Sequence, residues 1–510
     1  MFGSDRPNNW MISLTKVGMK NEMNNEYNTR AIYLFPITVK GIGGDKWGYI
    51  DAKGKIILPP IYDHGGDFQE NGLAIVRMDD QTGVIDSTGY FIVKPKYDTI
   101  HPFSEGRATV IDKQGFKVID ESGKEITSKA YSYIGDFKDG RALIKEKDVY
   151  GFLNRQGKEV IPPSYEISSD FVEEKVVAKL KNDHFALIGL TGKVLNTYPF
   201  NFVGNYGDGL LSFQRKWDRK LGYIDEQGTI IIEAQFSDAQ PFMNGRAIVN
   251  VSANSKNQYG LINRKGLFLI KPNYRNLFDL GENRFALGKA IDPEKPFIGS
   301  KYAVADNDGH VLTGFIYNRV TKFKDGIASA TNDDSTFMID KSGKRIEHLP
   351  MVSGSGTLEF DKTVIKGEID FRLRYFDKYG EPIWKQNQVI TLDQQHAVSE
   401  HKYKPNNDYL VYYPQINGLT VVNKTLRDLA GIKEISTHSQ LKSNYMGDFD
   451  VTFYKENLLV IEITGYDYPF GATHGTPVKK FVHIDLKKEK IFQMKDIIKE
   501  DSDFWKVFYS

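Results

Sequence analysis

The sequence predicts an all-β tandem-repeat array, built from three-stranded antiparallel meanders, with a small C-terminal α+β domain after it. Three observations predict this. The phrase GYIDAKG at Gly48 returns as GVIDSTG at Gly83, GFLNRQG at Gly151, GYIDEQG at Gly222 and GLINRKG at Gly260. Its fourth residue, an Asp or Asn except at Gly189, and the glycine three residues later recur through nine headers, from Asp51 and Gly54 to Asp340 and Gly343. Eight residues past each of the first eight glycines lies an aromatic (Tyr62, Tyr97, Tyr131, Tyr165, Phe200, Phe236, Tyr274, Tyr317), with a second large apolar residue six further on.

Each part of the unit has a local cause. GYID and KIIL are β-branched and aromatic runs on either side of D-A-K-G, and such runs bounded by turn residues form strands. Asp or Asn at the turn entry can accept the turn's own amides. Glycine at its end takes the left-handed conformation without a Cβ clash. A third strand precedes the hairpin, as in GLAIVRM at Gly72, GRATVID at Gly106, GRALIKE at Gly140 and GRAIVNV at Gly245. A single meander of about 35 residues cannot bury its own face, and stacking buries it. The periodic aromatics are therefore expected between units. Propeller blades usually have four strands and about 40–45 residues. An open or quasi-closed superhelical stack is accordingly expected over the alternative, a β-propeller-like ring. DPEKPFIGS, Asp292–Ser300, is expected to be a loop insertion. DKYG, Asp377–Gly380, is expected to be a decayed tenth hairpin, because Gln388 stands where its aromatic should be.

The expected organisation is an N-terminal extension over 1–33, repeats over 34–345, a linker and degenerate hairpin over 346–405, and the α+β module over 406–510. In that module YLVYYPQI should be a strand, and LTVVNKTLRDLAGIKEI a helix with Val422, Leu426 and Leu429 on one face. DFDVTFYKE and NLLVIEITGYDY should be two further strands.

Bulk composition excludes some classes of function. Lys+Arg is 67 against Asp+Glu 66, a net charge of +1, so the chain has no general pull toward nucleic acid. Cys is 0, which removes disulfides, thiolate catalysis and Cys-ligated zinc. No P-loop, G-x-S-x-G, H-E-x-x-H or dinucleotide fingerprint occurs, and no cofactor is expected. No stretch reaches the roughly 20 apolar residues of a membrane span. With no signal-peptide core at the start as written, the expected location is cytoplasmic, or the cell envelope if translation begins upstream.

K-W-G-Y-I-D at Lys46–Asp51, followed by G-K-I-I-L-P-P-I-Y, closely resembles the bacterial WG-repeat family over about Leu34–Arg345. The Trp-Gly pair is intact only at Trp47–Gly48; elsewhere Thr82, Tyr150, Leu221 or Tyr259 precedes the glycine. The family implies no common enzymatic activity. A second resemblance rests on Y-x-Q-I-x-G-L at Tyr413–Leu419, G-A-T-H-G at Gly471–Gly475 and F-x-H-I-D-L at Phe481–Leu486. These are similar to an extracytoplasmic module of Gram-positive peptidoglycan deacetylases and lysozyme-sensing anti-sigma factors. A further half usually follows the Asp501–Phe504 stretch in such proteins, so the module is expected to be incomplete here. The deacetylase catalytic signature is missing.

The expected function is a non-enzymatic binding scaffold. The alternative is an accessory or sensor region of a cell-wall enzyme or signalling protein that continues beyond residue 510. The expected partner is a protein or cell-wall glycan. Two groups of residues are candidates. Tyr466, Tyr468, Phe470 and His474 form an aromatic cluster at a Gly-rich turn, suited to a partner or glycan contact, although a turn histidine is the plainer account of His474. Arg107, Arg141 and Arg246 recur after the repeat glycine and could line an anion-binding stripe. Pairing with acids such as Glu105 and Asp139 between repeats is the plainer account of these.

Overall fold

Ten small antiparallel sheets follow one another along the chain, at 35–62, 64–97, 99–120, 133–165, 167–198, 202–236, 238–274, 276–306, 319–353 and 356–385. They are numbered one to ten below. The computed structural model describes residues 33–215, 219–252, 256–436, 441–492 and 496. The expected N-terminal extension lies outside these but for Tyr33, and Asp501–Phe504 lie outside them too.

The strand count corrects the expected meander. Seven of the ten sheets have four strands, and the added one comes first. In sheet two it is only His64–Gly65, directly after the aromatic that ends sheet one. A two-residue strand has no readable alternation, so three strands were all the pattern could carry. Sheets three and eight instead complete themselves with isolated bridges, such as Phe116 to Tyr131 and Tyr302 to Tyr317.

The turn glycine behaves as its position requires. Gly54, Gly89, Gly123, Gly157, Gly192, Gly228, Gly266, Gly309 and Gly343 all have φ between 74° and 92°. The Oδ1 of Asp225 accepts the amides of Gln227 and Thr229 at 3.0 and 2.8 Å, and Gly228 N–H donates to the Asp225 carbonyl at 3.0 Å.

The other glycine, the one after the Trp position, has a separate cause. Tyr223 pairs with Ile232 and Leu221 with Phe236, so Gly222 alone faces three bulged residues. A Cβ on Gly222 would lie 2.4 Å from the Ile232 carbonyl oxygen and 2.7 Å from the Ala234 nitrogen. The same bulge covers Gly48, Gly83, Gly151 and Gly260. It is this bulge that keeps the glycine of the phrase. Gly222→Ala is expected to cost about 1–3 kcal/mol through forced backbone displacement, read as a lower urea midpoint at unchanged slope.

The periodic aromatics fill the seams, as expected. Tyr97 packs with Val84 of sheet two and Val110 and Ile119 of sheet three. Tyr131 lies with Val118 of sheet three and Ile144 and Leu153 of sheet four. Phe236 lies with Tyr223 of sheet six and Val249 and Ile262 of sheet seven. Each is at most 4% exposed.

The array closes into a propeller-like ring, which corrects the preference for an open stack. Nine buried clusters join successive sheets, and a tenth joins the last sheet to the first. In that tenth cluster Val364 and Tyr375 of sheet ten meet Phe35, Ile37 and Ile50 of sheet one. The Tyr375 hydroxyl donates to the Pro36 carbonyl at 2.8 Å. Sheet ten occupies 356–385, within the stretch expected to be linker and degenerate hairpin. Asp377 and Gly380 form its turn, with Gly380 at φ 95°. Its missing aromatic is replaced at the seam by Tyr375.

After the ring comes one seven-stranded sheet: Val389–Thr391, Ala397–Asn406, Tyr409–Ile416, Ser443–Lys455, Leu458–Pro469, Thr476–Asp485 and Lys490–Ile491, in that order. Only the pair Tyr409–Ile416 and Ser443–Lys455 is parallel, and the crossover between them carries the one α-helix among the described residues, Thr420–Leu429. Its Val422 and Leu426 pack onto Leu459, Ile461 and Ile463. The helix is shorter than expected. Gly431, at φ 84°, donates its N–H to the Asp428 carbonyl and ends it before Ile435.

Candidate interaction surfaces

The arginines fall at the seams. Arg107 Nε donates to the Arg155 carbonyl at 2.6 Å, and Arg141 Nε donates to the Leu190 carbonyl at 2.9 Å. Both acceptors belong to the D-x-x-G turn of the next sheet. Arg284 does the same to Lys341 at 2.6 Å. Each head also bonds the carbonyl of its preceding residue. Arg246 keeps only that last bond, to Gly245 at 3.2 Å, and its buried Nε has no hydrogen-bond partner.

The acids beside these arginines serve a different bond. Glu105 and Gly106 occupy a tight turn at φ 52° and 75°, between the reciprocal bonds of Ser104 and Arg107. Two positive φ values in sequence select Gly at the second position. Glu105 Oε2 accepts the Gly140 N–H of the next turn at 2.9 Å, and Arg155 Nη2 lies 2.8 Å from it. Asp139 accepts the Glu174 N–H at 2.9 Å, Asp208 the Gly245 N–H at 2.6 Å and Glu282 the Gly326 N–H at 3.1 Å. Each turn thus holds the amide of the turn after it. A depression of about 480 Å³ lies here, lined by Glu105, Asp139, Arg141, Asn154, Arg155 and Glu174. Most of its polar lining is already engaged in these bonds.

The aromatic cluster sits at the far end of the C-terminal sheet. Tyr466 is 44% exposed, and its hydroxyl accepts the Gly475 N–H at 2.9 Å. The Tyr468 hydroxyl donates to the Ala472 carbonyl at 2.8 Å. Phe470 N–H donates to the Lys442 carbonyl at 3.0 Å, and His474 is an exposed residue of the same turn. Both tyrosine hydroxyls therefore brace the turn that carries them. The ring of Phe297, in the 292–300 insertion of sheet eight, lies against this turn; a Cβ on Gly471 would be 3.7 Å from its Cγ.

Sequence reasoning missed two surfaces. The first is an apolar row on sheets four, five and six. Tyr133, Ile167 and Phe202 stand two residues after the periodic aromatic and are 41%, 57% and 42% exposed. Tyr133 touches Phe116, and Phe202 touches Phe185, at ring distances of 5.6 and 5.9 Å. Phe116 and Phe185 stand at the Trp position, and Trp47 meets His64 of sheet two in the same way at 4.9 Å. The Trp position thus supports the first strand of the following sheet. The signal was present as Y-S-Y, Y-E-I and F-N-F at Tyr131, Tyr165 and Phe200.

The second is a set of buried ion pairs where the C-terminal sheet meets the ring. Lys40 of sheet one lies 2.8 Å from Glu400 and 3.6 Å from Asp448. Arg372 of sheet ten reaches the same two acids at 2.7 and 2.8 Å and lies 3.7 Å over the Tyr412 ring. The side chains of Lys40 and Glu400 are 5% and 4% exposed. Asp370, 3% exposed, accepts from Lys404 at 2.8 Å and also pairs with Lys402. Burial opposes ionisation of Asp370, but Lys402, Lys404 and the Ser355 amide outweigh it and hold the carboxyl below its usual range. A lowered folded pKa contributes stability above the unfolded value of about 3.9, lost as pH falls through the folded value. The urea midpoint should therefore fall below about pH 4, and Asp370→Asn should flatten that acid limb.

Among the described residues no group of three or more His, Cys, Asp or Glu is placed to hold a metal, and no helix is long and apolar enough to cross a membrane.

A family model described as WG containing repeat matches residues 47–81, 83–113, 118–149, 150–183 and 222–252. The chain carries WG repeats. Sheets eight, nine and ten lie beyond those matches yet keep the Asx–Gly turn and the seam packing of the WG repeats. No curated protein matches the chain. Among solved structures it is similar to BamB from Moraxella catarrhalis, with 12% identity and a TM-score of 0.30, covering 53% of this chain and 93% of that one. It is similar to AztD from Citrobacter koseri, with 12% identity and a TM-score of 0.28, covering 64% and 93%. It is also similar to a DUF3298 family protein from Pseudomonas aeruginosa, with 16% identity and a TM-score of 0.18, covering 23% and 62%.

Proposed function

We propose that the chain is a non-enzymatic binding scaffold whose ring presents a surface to a protein of the cell envelope. One observation carries the reading. The recurrent Asp, Gly, Tyr and Arg of the repeat are spent on turns and seams, whereas Tyr133, Ile167 and Phe202 stand out at one position of three successive sheets. An exposed apolar row on a rigid frame, with aromatic residues at its ends, suits a protein partner. The envelope assignment rests on the resemblance of the C-terminal segment. A glycan contact at Tyr466 and Tyr468 is the weaker reading, because both hydroxyls are engaged within their own turn.

The test is retention of lysozyme and of soluble peptidoglycan fragments on the immobilised full chain, beside Phe202→Ser and Tyr468→Ala variants. Acetate and reducing-end release are assayed in the same samples. Protein retention lost in Phe202→Ser and kept in Tyr468→Ala is the expected result. Retention of neither ligand removes the envelope partner, and loss in Tyr468→Ala alone moves the site to the turn. Product release from the fragments overturns the scaffold reading.

A further inference from the structure

We propose that the ring opens at the seam between sheets one and ten, and that the C-terminal sheet is the clasp that holds this seam shut.

Nine seams join sheets that are consecutive in the chain; this one joins residues more than 300 positions apart, as Tyr375 and Pro36 show. No strand is exchanged across it, because sheet one is built wholly from 35–62 and sheet ten wholly from 356–385. Its fully buried apolar core has five side chains, against seven to nine at the other seams, with five more half-buried at its margin. Much of what crosses it directly is polar. Lys366 pairs with Asp67 at 2.6 Å, and Lys362 Nζ donates to the Phe68 carbonyl at 3.0 Å. A cavity of about 350 Å³ opens beside it, lined by Asp67, Lys324, Glu359, Asp361, Lys366 and Glu368. A seam with a small core, polar ties and an adjacent cavity is the natural place for low-energy opening.

The C-terminal sheet bridges both sides of this seam. On sheet one it takes the Lys40 ammonium with Glu400 and Asp448, and Gly43 N–H donates to the Val451 carbonyl at 2.8 Å. On sheet ten it takes Arg372 with the same Glu400 and Asp448, and Asp370 with Lys402 and Lys404. Glu400 is thus shared by one cation from each side of the seam. Asn407 reaches on to the Asp333 carbonyl of sheet nine at 3.1 Å, and the 292–300 insertion of sheet eight meets the sheet's far end at Gly471. The insertion therefore has a structural use as a prop beneath the clasp.

Hydrogen exchange on the full chain tests this, using Glu400→Gln, which keeps the side-chain volume and removes the shared charge. Exchange over 35–50 and 364–377 is expected to accelerate at least tenfold, with the seam of sheets four and five, 142–188, unchanged. Unchanged exchange at 35–50 and 364–377 would overturn the proposal. So would an equal acceleration at every seam, which would mean general destabilisation instead of a gate. Should Glu400→Gln fail to fold, Asp370→Asn is read by the same two criteria.

Discussion

Tyr223→Ala should destabilise sheets six and seven by about 3–5 kcal/mol, the range for deleting a large buried aromatic. Tyr223 is 0% exposed, its ring lies 4.7 Å from that of Phe242, and its hydroxyl donates to the Gln240 carbonyl at 2.6 Å. Truncation leaves a cavity at the seam and an unpaired carbonyl. Each sheet of such an array touches mainly its neighbours, so the damage should stay local. Hydrogen exchange should rise over 210–262 while the peptides of sheets three and four keep their protection. An effect below about 1 kcal/mol would mean that the seam aromatics are not the main cohesive element.

Arg372→Ala should cost a comparable amount, about 3–5 kcal/mol, for a different reason. Arg372 is paired with two acids, one of which, Glu400, is 4% exposed. Removing the guanidinium leaves Lys40 as the only printed partner cation for both carboxylates, in a site closed to water. Breaking a buried pair costs more than the intact pair contributes, because the surviving charge has lost its compensation. Arg372→Lys should recover part of the loss, since a single ammonium restores the charge but not the forked geometry. The check is the urea midpoint of the three proteins side by side.

Local features of the repeat were legible, and long-range ones were not. Asp225 and Gly228 could be assigned to a turn because both act within five residues of chain. Tyr97 and Phe236 could be assigned to seams because a fixed offset puts equivalent rings in equivalent places. The role of Gly222 was out of reach, since its cause is a bulge in the facing strand. Ring closure was also out of reach. It depends on Tyr375 finding Pro36, and on Lys40, Arg372 and Glu400 meeting from three distant parts of the chain, and no periodicity reports such a meeting. Sheet ten was half-visible: its Asp377–Gly380 turn showed, but its seam aromatic had moved from the expected position to Tyr375. The two candidate groups were chosen for residue type. The arginines proved to be seam ties, and the tyrosines proved to brace a turn; the exposed row at Tyr133, Ile167 and Phe202 carried a signal that only burial made significant.

The central claim is that the ten sheets close into a ring. The sequence has no cysteine, so a pair introduced at one place is unambiguous. Asp67 and Lys366 meet across the closing seam at 2.6 Å. In Asp67→Cys/Lys366→Cys, a short bis-maleimide should join the two thiols within one chain at high yield and leave the product monomeric. Single-thiol adducts, or products joined only between chains, would contradict closure and return the array to an open stack.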